Sequence, residues 1–202
     1  MEKIKEDDDD EIKVILVGET ATGKTSLINT SIGLEFKQRL ESTQSSSIIQ
    51  KKITIGDKAY NINLWDTIGQ EEFRSLTSIF MKDSKIVIFV YDITRLDTFN
   101  QIVEFWYDNT KDVLGDEPVM GIVGNKEDLY LDSKVSDNIV EDFIKNKDMP
   151  FQLTSAKVPK NFNAFLELLV KKYIEKHGYI KNENKSIKLG IANKKNKKKG
   201  CC

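Results

Sequence analysis

The run "IKVILVGETATGKTSLINTSI", residues 12–32, decides the fold. Its first six residues are an apolar run that reads as a buried strand, and "KTSLINTSI" at the other end suits a helix. Between them "GETATGKTS" (18–26) carries two glycines with four residues between them, followed by Lys and Thr, the spacing of a phosphate-binding loop. Gly18 and Gly23 let the backbone wrap a phosphate. The amides of the intervening Glu19, Thr20, Ala21 and Thr22 and those of the helix start, from Lys24 to Ser26, face it. Lys24 neutralises the outer phosphates, and the Thr25 hydroxyl is placed to ligate Mg²⁺. The loop predicts triphosphate binding and leaves the base and the reaction open.

Outward from this unit the pattern repeats. "IIQKKITI" and "YNINLW" flank Gly56-Asp57, the signature of a hairpin. "KIVIFVYD" (85–92), "PVMGIVGN" (118–125) and "FQLTS" (151–155) read as buried strands. Helical stretches lie between them at about 97–114 and 136–147, and from Asn161 the residues Phe162, Phe165, Leu166, Leu169 and Tyr173 recur at helical spacing. Alternating strands and helices predict an α/β fold of the P-loop NTPase kind: a six-stranded, mostly parallel sheet with one antiparallel edge strand and helices on both faces.

Two further motifs follow strand ends on the same expected sheet edge: "GNKEDL" (124–129) and "TSAK" (154–157). Asp128 can accept two hydrogen bonds from the N–H edge of guanine, which adenine cannot supply. An ATP-dependent P-loop kinase is disfavoured on this ground.

Taken together, GETATGKTS, WDTIGQE (65–71), GNKED and TSAK, in this order and separation, resemble the Ras-like small GTPases over roughly residues 12–177. "LWDTIGQEEFRSLTSIF", "FVYDIT" and the terminal Cys-Cys are similar to the Rab family. The chain departs from that family at "STQSSSIIQ" and "IFMKDSK", segments that face regulators and effectors there. The resemblance implies that Thr43 closes over Mg²⁺ and the γ-phosphate, that Asp66 holds Mg²⁺ through water, that the Gly69 amide touches the γ-phosphate, and that Gln70 orients the attacking water. It further implies that Phe36 stacks on the guanine, Asn125 ties the base loops together, Lys126 lays its stem along the base, and the Ala156 amide meets the guanine carbonyl within the loop Ser155–Ala156–Lys157. Ordinary readings stand beside these: Phe36 as a buried aromatic, and Thr154 and Ser155 as a strand end. Trp65 and Trp106 read as core packing, since nothing polar converges on them in the sequence.

Composition bounds the rest. At 202 residues, 39% hydrophobic and 31% charged, the chain has room for one α/β domain and a tail. The longest apolar run is far short of a membrane span, and the acidic start does not read as a secretory signal. Cysteine occurs only at Cys201 and Cys202 and histidine only at His177, so neither a histidine-based triad nor a cysteine metal site is available. His177 suits a helix C-terminus. The net charge of −1 hides an acidic segment 1–11, with seven acids against two lysines, and a segment 181–202 with eight lysines against one acid. The expected organisation is an acidic N-terminal extension (1–11), a G domain (12–178) and a disordered basic tail (179–202). The cluster Lys194, Lys195, Lys197, Lys198 and Lys199 reads as a solvated linker, a nuclear-targeting patch or a membrane-seeking patch. The final Cys201-Cys202 resembles the Rab double-geranylgeranylation signal, and two lipids with a basic cluster satisfy the requirement for stable anchoring.

The resemblance thus implies a monomeric, lipid-anchored GTP/GDP switch on the cytoplasmic face of an endomembrane or the plasma membrane, with a cytosolic pool. Its expected partners are a guanine-nucleotide exchange factor, a GTPase-activating protein, a GDP-dissociation inhibitor, the Rab prenylation machinery and effectors of vesicle traffic, with no nucleic acid. A second reading rests on Ile68, which stands where the family has alanine beside the γ-phosphate. A misplacement of about 1.4 kcal/mol there would slow hydrolysis about tenfold, so a constitutive GTP-bound scaffold is the alternative.

Overall fold

The computed structural model describes residues 11–38, 43, 46–67, 74–158 and 160–177. Strand β1 (Glu11–Val17) feeds helix α1 (Lys24–Ser31). The hairpin β2 (Ser47–Ile55) and β3 (Lys58–Asp66) is followed by α2 (Arg74–Met81) and β4 (Ile86–Asp92). A continuous helical rod comes next: α3 (Leu96–Gln101), a π-helical turn (Ile102–Trp106) and α4 (Tyr107–Leu114). Strand β5 (Val119–Asn125), a 3₁₀ segment (Glu127–Asp132), α5 (Asp137–Ile144), β6 (Phe151–Thr154) and α6 (Lys160–His177) complete the chain.

The strands form one sheet in the order β2-β3-β1-β4-β5-β6, and only the β2–β3 pair is antiparallel. Parallel strands covered on both faces must be apolar on both, and every residue of β4 is buried. Alternate residues serve opposite layers. Val14 and Leu16, with Ile86, Ile88 and Val90, pack under α1 and α6, where Phe162, Phe165, Leu166, Leu169 and Tyr173 bring the predicted helical stripe. Ile15 and Val17, with Val87, Phe89 and Tyr91, face Met81, Phe99, Ile102, Trp106 and Val140 on the other side. Burying one such side chain contributes about 1.5–3 kcal/mol, so the two layers clamp the sheet and hold its strand ends in place. The loops after β1, β4, β5 and β6 all leave from the carboxyl edge of these parallel strands, which is where the site forms. Among the described residues no helix is long and apolar enough to cross a membrane.

Candidate functional site

The loop after β1 is pressed against its neighbours. Gly18 has φ 142°, and a Cβ there would lie 2.2 Å from the Val90 carbonyl oxygen; Gly23, at φ 94°, would place one 2.2 Å from Asn125 Nδ2. Only glycine lets the backbone pass so close to β4 and β5. Side chains then pin the loop residue by residue. Thr22 Oγ1 donates to the Glu19 carbonyl at 2.9 Å, Asn125 Nδ2 to the Thr22 carbonyl at 2.8 Å, Arg95 Nη1 to the Thr20 carbonyl at 3.2 Å, and Trp106 Nε1 to Glu19 Oε1 at 3.1 Å.

Lys24 opens α1 and is buried, with Nζ donating to the Gly18 and Glu19 carbonyls at 2.8 and 2.9 Å. Burial strips water from the ammonium and lowers its pKa to about 8, against the opposing pull of Asp66 and Glu19. A cation held this way, at a helix start that receives no side-chain cap, is suited to an anion.

Next to it the Thr25 and Thr43 hydroxyls lie 2.8 Å apart. Asp66, at the end of β3, is 1% exposed, and its Oδ1 has no hydrogen-bond partner among the described residues. Desolvation raises its carboxyl above the ordinary range, outweighing the Thr25 hydroxyl, the Lys24 charge and the Thr67 amide. An orphaned, desolvated carboxylate oxygen beside two hydroxyls is a donor set that fits a hard divalent cation such as Mg²⁺, whose remaining ligands are phosphate oxygens and water.

At the other end Asp128 accepts from Ser155 Oγ at 2.6 Å and from Lys157 Nζ at 2.5 Å. Desolvation pushes its carboxyl up, but the Lys157 and Ser155 hydrogen bonds and the Lys157 charge prevail and hold it below the usual carboxylate range. It is an ionised, two-oxygen acceptor set at the rim of the cleft. Lys157 Nζ also lies 5.8 Å from the Phe36 ring centroid. Lys126, held at φ 71°, directs its ammonium to Asp92 Oδ2 at 2.5 Å, and Thr94 steadies Asp92 by two further hydrogen bonds.

These two ends belong to one cleft of about 420 Å³, lined by Lys24, Thr25, Thr43, Asn125, Asp128 and Ala156 among others, with the half-exposed Phe36 on its wall. The structure therefore brings together the loop 18–26, Phe36, Thr43, Asp66, Asn125, Lys126, Asp128 and the 155–157 loop. Ile68, Gly69, Gln70, Cys201 and Cys202 lie outside the described residues. The expectation that nothing polar meets the tryptophans needs correction. Trp106 reaches Glu19 of the loop, and half-buried Trp65 carries the Lys13 ammonium 4.0 Å over its ring while packing on Phe80. Two residues missed from the sequence touch the phosphate loop. Arg95 could have been found, because it follows the β4 strand end on the site's edge; Trp106 has no local signal.

Comparison with known proteins agrees with this geometry. The Ras family profile matches residues 13–175. The chain belongs to the Ras family. Among its relatives there are Rab proteins: Rab-21 of Bos taurus is 39% identical over 163 residues, 81% of this chain and 73% of that protein. Rab-21 of Geodia cydonium is 36% identical over the same share of this chain and 71% of its own. Rab-7b of Mus musculus is 34% identical over 200 residues, 95% of this chain and 96% of that protein. This member of the Ras family is a Rab-type small GTPase, and its six-stranded α/β sheet is the Ras-like G domain that the motifs predict.

Proposed function

We propose that this Rab-type GTPase is a membrane-attached switch that binds GTP, hydrolyses it to GDP and phosphate, and recruits effectors of vesicle traffic while GTP is bound. The supporting observation is that a buried cation with an orphaned carboxylate and an ionised two-oxygen acceptor occupy opposite ends of one cleft. A guanine nucleotide presents a polyanion at one end and an N–H edge at the other.

In this reading Asp128 takes the guanine N–H edge, Phe36 and the Lys126 stem flank the ring, and the Ala156 amide meets its carbonyl. Lys24 and the amides of residues 19–25 hold the phosphates. Thr25, Thr43 and Asp66 hold Mg²⁺, which when bound neutralises charge developing on the phosphate oxygens. Gly69 contacts the γ-phosphate and Gln70 orients the attacking water. No strong general base is needed, because positioning and charge neutralisation carry phosphoryl transfer, completed by an activating protein. The tail, with lipids on Cys201 and Cys202 and its lysine cluster, holds the domain at a cytoplasmic membrane face. A GDP-dissociation inhibitor maintains the cytosolic pool, and an exchange factor reloads the site.

Single-turnover GTP hydrolysis by the wild type and by Ile68→Ala tests this. The expected result is slow turnover that an activating protein accelerates, with the alanine variant faster alone. Absence of turnover in both, even with activating proteins, overturns the switch and leaves the constitutive GTP-bound scaffold that Ile68 motivates.

A further inference from the structure

The rod α3–π–α4 is not a plain helix. At Tyr107 the backbone N–H bonds the Ile102 carbonyl, five residues back, so one extra residue is accommodated in that turn. The insertion resets the azimuth of everything after it by roughly 100°. Such turns cost regular hydrogen bonding and are enriched at functional sites. Here the turn ends on Trp106, whose ring is 1% exposed while its N–H emerges at the underside of the phosphate-binding loop and meets Glu19 Oε1. Glu19 is not an isolated end point. Its carbonyl accepts from Lys24 Nζ and from Thr22 Oγ1, so fixing this residue fixes the loop position on which the lysine rests. The next loop residue, Thr20, is held from the same side by Arg95, the residue just before α3. The rod and the residue that leads into it thus hold two successive residues of the loop.

We propose that Trp106, set by the π-helical turn, is a positioning residue for the phosphate-binding loop, acting through the Glu19 carboxylate. It touches no part of the nucleotide itself. The indole supplies a donor on a ring immobilised in the core. A hydrogen bond to a charged acceptor is among the stronger kind, enough to hold the loop amides in the geometry that receives the outer phosphate. The inference rests on the guanine-nucleotide reading above.

The test uses the full chain loaded with fluorescent GDP. Trp106→Phe keeps an aromatic ring and removes the donor, and GDP dissociation is expected to quicken about tenfold. Two readouts separate positioning from general loosening. First, in a Glu19→Ala background, itself fast, adding Trp106→Phe should change dissociation by less than about twofold, because the pair acts as one. Second, the affinity for GMP, which lacks the outer phosphate, should shift by less than about twofold. Should Trp106→Phe fail to fold by circular dichroism, Glu19→Ala alone still decides, with about tenfold faster GDP release expected and GMP spared. Dissociation within twofold of wild type in either single variant, equal acceleration by Trp106→Phe in both backgrounds, or equal loss of GMP and GDP overturns the proposal. A wild type that retains no GDP at all instead overturns the nucleotide reading.

Discussion

Lys24 makes a quantitative prediction about protons. Burial lowers its pKa from 10.5 to about 8, with Asp66 and Glu19 pulling the other way. A bound di- or triphosphate places fixed negative charge on the ammonium and restores the charged form, so binding must take up a proton wherever the free site is already neutral. With a free-state pKa near 8, roughly nine-tenths of the free protein is charged at pH 7 and one-tenth at pH 9. Proton uptake on GDP binding should therefore rise from about 0.1 per site at pH 7 to about 0.9 at pH 9, and affinity should fall about tenfold, or about 1.4 kcal/mol, over the same interval. Lys13 and Lys51 are also held low by burial, but they lie away from the cleft and cancel between free and bound states. Calorimetric titration of nucleotide-free protein with GDP, in two buffers of different ionisation enthalpy at pH 7, 8 and 9, reads the uptake directly. Uptake below about 0.2 at pH 9 would show that the free site keeps Lys24 charged, and the burial argument would be wrong. The same lowered pKa carries a stability signature. The unfolded chain binds the extra proton between about 8 and 10.5, so the nucleotide-free protein should gain stability as pH rises through that window.

Other perturbations follow from the same geometry. Asp128→Asn replaces one of two acceptor oxygens with a donor and should weaken GDP binding about a hundredfold, roughly 3 kcal/mol, while narrowing the preference for guanine over adenine nucleotides in competition assays. Gly18→Ala forces a Cβ to within 2.2 Å of the Val90 carbonyl and should lower the thermal midpoint of the loaded protein by several degrees or abolish folding. Because desolvation raises the Asp66 carboxyl, the Mg²⁺ dependence of GDP retention should fade on acidification at a pH above the ordinary carboxylate range, seen as faster dissociation that added Mg²⁺ no longer slows. Cys201→Ser with Cys202→Ser should shift the protein from the membrane pellet to the soluble fraction of expressing cells.

Much of the site was legible because its chemistry is local. The loop 18–26, GNKED and TSAK each follow a predicted strand, and strands alternating with helices form a parallel sheet whose strand ends lie on one edge. Which layer each residue of the apolar run 12–17 serves was not readable, because an apolar run has no polar face to mark; only the packing sends Ile15 to one layer and Leu16 to the other. The reading of Trp106 as core packing holds, since it is 1% exposed among the buried apolar residues, but its contact with Glu19 was not legible, for a physical reason. Its place depends on one residue too many in a helical turn, and its partner Glu19 is eighty-seven residues away, so no local pattern in IVEFW announces the contact. Arg95 and the Lys126–Asp92 pair belong to the same class, being contacts between loops far apart in the chain.

By itself the sequence determined the ligand class, through glycines where backbone must touch backbone and a carboxylate where guanine must be told from adenine. Only the tertiary structure decided the state of those groups. Lys24 titrates near 8, Asp66 has an oxygen without a hydrogen-bond partner among the described residues, Asp128 stays ionised under Lys157 and Ser155, and Glu19 hangs from a tryptophan eighty-seven residues away. Burial and long-range hydrogen bonds set these states, and both exist only once two helical layers have closed on the sheet.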